Sequence, residues 1–553
     1  MSRGNEVSRM KPVALISLCD EFCYGLRVLA ACLTDKGFPA SLFHVKRLAL
    51  SAPEQAVSDP GAAGGFTAIY PTGERRMNYS IVTPREEDLL IEQLRASPWL
   101  FVGISVMSLN RDLALRLTRR IQRDLGAPVV WGGVHATIAP EDCAALADAV
   151  CVGEGEETIV ELAQALAGGR ALSDLEIPGL WARQRGGEIV RGPLRPPLKS
   201  LDALPFPQYD PARAWVIDDE QVFHGDIRPS EHLKTHYPMM AGRGCPYRCS
   251  YCVWSTLKRD HPEMTKLRTR SPQGVIDELV HAKRENPAMA FIDFFDDVFA
   301  NDLKWLEAFA PLYRRHVNLP FFCLIHPAGF TDAKARLLKE MGALQVQMGV
   351  QSGSDRLNRE VFSRTVRRET VLAAMDHLAR HDLLALYDFL TNVPYETEED
   401  RMETLTLLCR IPGRFVVQMA KVVPFPGTEL ARRLAADPHP PVPDEKTYRF
   451  WNALYWLAAL RAASEQSLVK MTRDNFLREN PEILWEMLAS LDTKPERQGE
   501  ADFVRRLHAD LQGEFERLRA DHDRLKGRRL VRLAVALSDA TKRLLGSIHT
   551  TAR

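Results

Sequence analysis

Gly244-Cys245-Pro246-Tyr247-Arg248-Cys249-Ser250-Tyr251-Cys252 packs three cysteines into one short loop, directly after the apolar segment 238–241. The C-x3-C-x2-C spacing lets thiolates from a single stretch of backbone wrap a cubane cluster, although protein iron–sulfur sites of this kind normally use four cysteines. A structural zinc site would need a fourth Cys or His at short spacing, and none is adjacent. Three incidental buried thiols are the other alternative. Cys323 and Cys409 fall inside apolar segments and read as core residues.

Downstream of the loop, apolar β-prone segments recur at 290–294, 321–325, 345–350, 385–390 and 416–423, separated by helical stretches. Together with 238–241 they predict a barrel or part of one. Beyond about residue 437 the strand signals fade, and 448–463 and the charged stretch after Asp502 read as helix. Trp451, Tyr455 and Trp456 share helical spacing and read as core. The basic stretch 517–544 suits a solvated helix packed on the barrel better than a membrane-surface or partner-binding segment.

Upstream, strand signals at 13–17, 39–45, 100–106 and 128–131 alternate with helical ones. Leu113, Leu117, Ile121 and Leu125 share one helical face behind the candidate cap Asn110. Repeated β-α units of this kind imply a parallel, doubly wound sheet with ligands at the carboxyl ends of its strands. Residues 170–235 break the rhythm with clustered Pro and Gly and read as a linker with short strands. The expected architecture is α/β: a Rossmann-like domain over 1–169, a linker over 170–235, a partial (β/α)6 barrel of the TIM type over 236–436, and a helical C-terminal domain over 437–553.

Lys+Arg and Asp+Glu both total 72, so charge gives no argument for nucleic acid or an anionic membrane as the main partner. A small-molecule substrate fits better. The polar N-terminus carries no secretory pattern and no apolar run is long enough to span a bilayer, so a cytoplasmic location without a transmembrane segment is expected. In a reducing compartment, clustered cysteines favour metal ligation over disulfides.

The cysteine loop closely resembles the signature of the radical S-adenosylmethionine (radical SAM) superfamily. The resemblance implies a [4Fe-4S] cluster on Cys245, Cys249 and Cys252, with the fourth iron left for S-adenosylmethionine (SAM) and an adenine contact at Tyr251. Phe294-Phe295-Asp296-Asp297-Val298-Phe299 and Gly349-Val350-Gln351-Ser352-Gly353 resemble the family's SAM-binding segments, which implies SAM contacts at Asp296, Asp297, Gln351 and Ser352. Pro394-Tyr395-Glu396-Thr397 and Pro424-Phe425-Pro426-Gly427-Thr428 match loops after the fifth and sixth strands.

Asp20-Glu21-Phe22-Cys23-Tyr24-Gly25 aligns with the D-x-H-x-x-G pattern of cobalamin-binding domains, except that Phe22 stands at the position of the cobalt-ligating histidine. Ser105-Val106-Met107 resembles the S-x-L element, Gly132-Gly133 the paired glycines beside the nucleotide tail, and Gly153-Glu154-Gly155-Glu156 a segment common in such proteins. The resemblance thus implies cobalamin contacts at Asp20, Phe22, Gly25, Ser105, Met107, Gly132, Gly133 and Glu154. His135 is carried with them as a residue beside the nucleotide tail or at a helix start, and as a cobalt ligand only in second place. A plain Rossmann-like domain binding no corrinoid is the alternative.

The chain therefore resembles the cobalamin-binding radical SAM proteins, methyltransferases of class B in particular. That resemblance implies methylation of an unactivated carbon, or of phosphorus, in a small metabolite, with flavodoxin or ferredoxin as electron donor. A cyclisation, rearrangement or oxidation without net methyl transfer is the second reading, and a corrinoid-binding sensor with a vestigial barrel the third. Transfer-RNA methylthiolation is disfavoured, because there is no second cysteine trio and no basic RNA-binding module.

Overall fold

Apolar runs buried on both faces make central strands, and two parallel sheets organise the chain. The computed structural model describes residues 10–20, 22–46, 48–51, 65–70, 73–79, 82–184, 186–224, 235–299 and 301–490. The basic stretch 517–544 lies outside them. In chain order the N-terminal part forms β1 (Val13–Leu18), β2 (Ala40–Val45), β3 (Leu48–Ser51), β4 (Gly65–Tyr70), β5 (Gly73–Tyr79), β6 (Val102–Ser105), β7 (Val129–Gly132) and β8 (Ala149–Cys151).

The first sheet has a parallel centre in the order β8-β7-β6-β1-β2. Every side chain of β1 and β2 is buried, as a sheet covered on both faces requires. The chain leaves β1 to one side for β2 and later returns to its other side for β6, so a topological switch point lies between β1 and β6. Residues 170–224, read as a linker with short strands, instead build out both edges of this sheet. β9 (Leu180–Arg183) and β10 (Ile189–Arg191) pair antiparallel beyond β8, while β11 (Ala214–Asp218) and β12 (Gln221–His224) extend it beyond β2.

The second sheet is built from β13 (His236–Met239), β16 (Phe291–Phe294), β17 (Phe321–Ile325), β18 (Ala343–Gln351), β19 (Leu384–Thr391) and β20 (Phe415–Lys421), all parallel and in chain order. Between the first two, β14 (Gly242–Arg243) and β15 (Arg268–Thr269) form a small antiparallel pair beside the cysteine loop. A partial barrel leaves a strand edge whose N–H and C=O groups need partners. Here β4 supplies them: it runs antiparallel to β20, with Met419 opposite Ile69, and carries β5 and β3 behind it. A segment from the N-terminal half thus completes the sheet of the barrel.

Along β18 and β19 burial alternates with period two, and Val346, Met348, Val350, Ala385, Tyr387 and Phe389 share one core with the surrounding helices. The helix Glu445–Ala459 adds Trp451, Tyr455 and Trp456 to that core, all at most 5% exposed. Fully burying side chains of this size contributes about 1.5–3 kcal/mol each, which is why this helix stays docked on the barrel.

Candidate functional site

The cysteine loop leaves β14 and ends at the helix Val253–Asp260, for which Cys252 is the N-cap residue. Cys245 and Cys249 are buried and Cys252 is half-buried. Burial pushes the Cys245 thiol up to about 11 and Cys252 up to about 12, so these two need a cation to draw out their thiolates. Each sulfur has its own donor. The backbone N–H of Tyr247 points at Cys245 and that of Trp254 at Cys252, while Arg364 Nη1 lies 3.7 Å from Cys249 Sγ.

Arg364 is 6% exposed and also donates to Tyr251 Oη at 3.3 Å and to the carbonyl of Gly349 at 2.8 Å. A guanidinium buried this deeply is costly unless anionic groups surround it, and a thiolate-bound cluster is such a group. No local pattern marks this residue in the sequence. It sits 115 positions from the cysteine it faces.

A cleft of about 420 Å³ opens at the switch point and reaches the barrel. One wall is glycine-rich, with Gly25, Gly103, Gly132, Gly133, Gly153 and Gly155, together with Ser105 and Leu15. The opposite wall comes from the barrel side and includes Gly244, Trp254 and Asp297. Gly133 holds φ +91°, and a Cβ there would stand 3.0 Å from the backbone of Val106, so only glycine lets the chain turn this tightly. Around Gly25 no heavy atom lies within 4 Å of where a Cβ would be, so its bare backbone faces open space.

Polar ties hold the walls together. Both carboxylate oxygens of Glu154 receive Arg268, at 2.6 and 3.0 Å, and Arg243 bridges to Glu156 at 2.5 Å and Glu154 at 3.4 Å. Burial works against the Glu154 charge, but Arg268 and Arg243 hold its carboxyl below the usual range. Glu154 therefore lines the cleft as a bridge between the two halves rather than as a free acid. Arg243 and Arg268, which the sequence did not single out, are its partners.

Several expected contacts are placed elsewhere. His135 is 1% exposed, with Nδ1 3.0 Å from Ser108 Oγ and Nε2 3.3 Å from Asp142 Oδ2, so both ring nitrogens are engaged away from the cleft. Met107 does not line the cleft either; its N–H donates to Asn110 Oδ1. Asp20 accepts from the backbone of Phe22 and Cys23 at 3.1 and 3.0 Å and so shapes the turn into the helix Tyr24–Asp35. Phe22 packs its ring 5.2 Å from that of Phe295, at the carboxyl end of β16.

On the barrel side, Asp296 Oδ2 accepts from the N–H of Ala241 at 3.0 Å, and burial pushes its carboxyl up to about 7. It ties the end of β16 to the chain entering the cysteine loop and is not among the residues lining the cleft. Asp297 lines the cleft and accepts from Trp254 Nε1 at 2.9 Å. Ser352 is spent on Thr404 and on the N–H of Ser354. Gln351 adopts φ +70° at a break in the strand register, and a Cβ on Gly349 would meet its Nε2 at 2.5 Å, so its amide folds back over that glycine.

Residues 239–408 match the family model of the radical SAM superfamily, and residues 77–163 that of the B12 binding domain. The chain carries a radical SAM domain and a B12-binding domain. Radical SAM and B12-binding domains bring three cofactors, a [4Fe-4S] cluster, SAM and cobalamin. An uncharacterized methyltransferase of Pyrococcus horikoshii is 28% identical over 307 residues, 55% of this chain and 62% of that protein. An anaerobic magnesium-protoporphyrin IX monomethyl ester cyclase of Rubrivivax gelatinosus is 23% identical over 381 residues, 67% of this chain and 64% of that one. The chain thus matches less than two thirds of the length of either relative. In fold it is similar to the cobalamin-dependent SAM radical enzyme OxsB, with TM-score 0.60 and 14% identity, covering 96% of this chain and 84% of that structure. Among the described residues no helix is long and apolar enough to cross a membrane.

The side chains around the cysteine loop and the cleft suit those cofactors. Three sulfurs with three separate N–H donors suit a cluster, whose bound sulfurs take hydrogen bonds of this kind. An apolar cleft with a glycine wall suits the flat nucleotide tail of a corrinoid, because backbone can approach it closely.

Proposed function

We propose that the protein is a cobalamin-dependent radical SAM methyltransferase acting on an unactivated carbon, or on phosphorus, of a small metabolite. The observation that carries this reading is the single cleft shared by the glycine wall of the B12-binding domain and by residues flanking the cysteine loop. When bound, the cluster and SAM supply a 5′-deoxyadenosyl radical and cobalamin supplies a transferable methyl group. Cys245, Cys249 and Cys252 would hold the cluster. Arg364 neutralises the charge that gathers at Cys249, and Asp297 and Gln351 offer polar groups beside the loop. Leu15, Val130 and Ile159 keep the deep end of the cleft apolar and poor in water. A flavodoxin or ferredoxin would supply the electron.

One SAM molecule cannot both donate a methyl group and generate the radical, so carbon methylation consumes two per product. With methyl-labelled SAM and extracts of the producing pathway, S-adenosylhomocysteine and 5′-deoxyadenosine are expected in equal amounts, with the label in the product. Methylation of phosphorus would release no deoxyadenosine. Deoxyadenosine and a modified but unlabelled product would instead establish the cyclase or rearrangement reading, which the likeness to the Rubrivivax cyclase favours. Absence of both deoxyadenosine and labelled product from reconstituted protein would revive the sensor.

Among the described residues that line the cleft none is a histidine, and a phenylalanine ring cannot coordinate cobalt. Paramagnetic resonance of the cob(II)alamin form is therefore expected to lack axial nitrogen splitting. Clear nitrogen splitting would mean that the cofactor's own base or a histidine of the chain binds that face.

A further inference from the structure

The concave face of the barrel carries a polar cluster outside the cleft. Because Val346, Met348, Ala385 and Tyr387 point into the core shared with the outer helices, the alternate residues Gln347, Gly349, Leu386 and Asp388 point to the barrel interior. The register sets Asp388 beside Gly349 on one side and Gln418 on the other. Gln347 reaches across and donates its Nε2 to both carboxylate oxygens, at 2.9 and 2.7 Å.

Asp388 is half-buried, and among the described residues no Lys, Arg or His is paired with it. The interior carboxylate of Asp293 differs, since it meets His236 Nδ1 at 2.8 Å. One amide leaves lone pairs on both Asp388 oxygens and leaves the negative charge uncompensated. Burial pushes the Asp388 carboxyl up to about 6, so the anion is held at a cost that a cationic partner would relieve. Other hydrogen-bonding groups stand near the same level. Gln418 is the direct neighbour on β20, and His326 follows the last residue of β17 with Nε2 buried and without a partner. Leu324, Leu386 and Val416 lie one row along, where an apolar body could rest.

We propose that Asp388, propped by Gln347, anchors a protonated amine of the substrate inside the barrel. This rests on the reading above that the barrel interior receives a metabolite, and it narrows the class to amines carrying an apolar body. An ammonium group brings three donors, which the open lone pairs of the two Asp388 oxygens and the amide oxygen of the neighbouring Gln418 would accept.

The test uses the full chain reconstituted with cluster, SAM and cobalamin, and two probes of similar shape, phenethylamine and 2-phenylethanol. At about pH 8 the carboxylate is ionised and the amine protonated. Binding followed by saturation-transfer NMR is expected to favour the amine by at least about tenfold. In the isosteric Asp388→Asn variant the two probes should bind alike. Iron and sulfide content and melting temperature check that the variant is folded, and Asp388→Ser carries the same comparison if it is not. Equal binding to the wild type, no binding of either probe, or an amine preference that survives in the folded variant would each overturn the proposal. Deoxyadenosine release by the wild type tests the radical SAM chemistry separately, and its absence would leave the binding preference to stand or fall alone.

Discussion

Replacement of Cys245, Cys249 or Cys252 by Ala, one at a time, is expected to bring iron and sulfide close to background and to abolish deoxyadenosine formation. The loop offers three ligands where such clusters normally have four, so there is no spare thiolate to compensate. Seven other cysteines are described, and none belongs to the loop; Cys323, for example, is fully buried within β17, and Cys409 ends the helix Glu398–Cys409. Loss of a sulfur also removes the partner of a specific donor. In the Cys249 variant Arg364 also loses the sulfur 3.7 Å from its Nη1, and a hydrogen bond that involves a charged group contributes about 1.5–3 kcal/mol. That variant is therefore expected to melt lowest of the three. Normal cluster content in any one of them, measured by iron and sulfide assay after anaerobic reconstitution, would remove that cysteine from the ligand set.

Gly25→Leu is expected to empty the chain of cobalamin while leaving its iron content unchanged. Gly25 belongs to the first turn of the helix Tyr24–Asp35 and lines the cleft, with no heavy atom within 4 Å of a built Cβ. Leucine is tolerated there by the protein itself and should even favour the helix by about 0.5–1 kcal/mol relative to glycine. Its side chain would project into the space assigned to the corrinoid. Overfilling a packed site costs about 1–3 kcal/mol, which corresponds to roughly 5- to 150-fold in affinity. Cobalamin retained per chain after gel filtration, read from its visible absorbance, checks the outcome. Wild-type retention would show that the corrinoid lies elsewhere. Because the predicted change is confined to one cofactor, it separates the cleft assignment from general loss of fold.

The cysteine loop, the parallel strands on either side of it and the buried aromatic helix Glu445–Ala459 were all legible in the chain, since each is written in the spacing of neighbouring residues. A period of two marks β19, a run of apolar residues marks β1, and the fixed interval between thiols marks a cluster loop. The roles of single residues within those segments were less legible. Asp296 and Asp297 are adjacent and identical in type, yet one is bound to the backbone of Ala241 and the other opens on the cleft. His135 follows the paired glycines closely, but the turn at Gly133 swings it toward Ser108 and Asp142.

Dihedral preference, periodicity and ligand spacing act over a few residues, so the sequence marks the central parallel strands of both sheets, the helices between them and the loop that can hold metal. The tertiary structure adds that β4 completes the barrel sheet at β20, that Arg364 faces Cys249, that Glu154 binds Arg243 and Arg268 across the cleft, and that among the described residues no cation is paired with Asp388. An exposed strand edge or a buried charge must be matched by whatever surface the rest of the fold brings to it. That surface comes from positions far away in the chain, where no local pattern can record it.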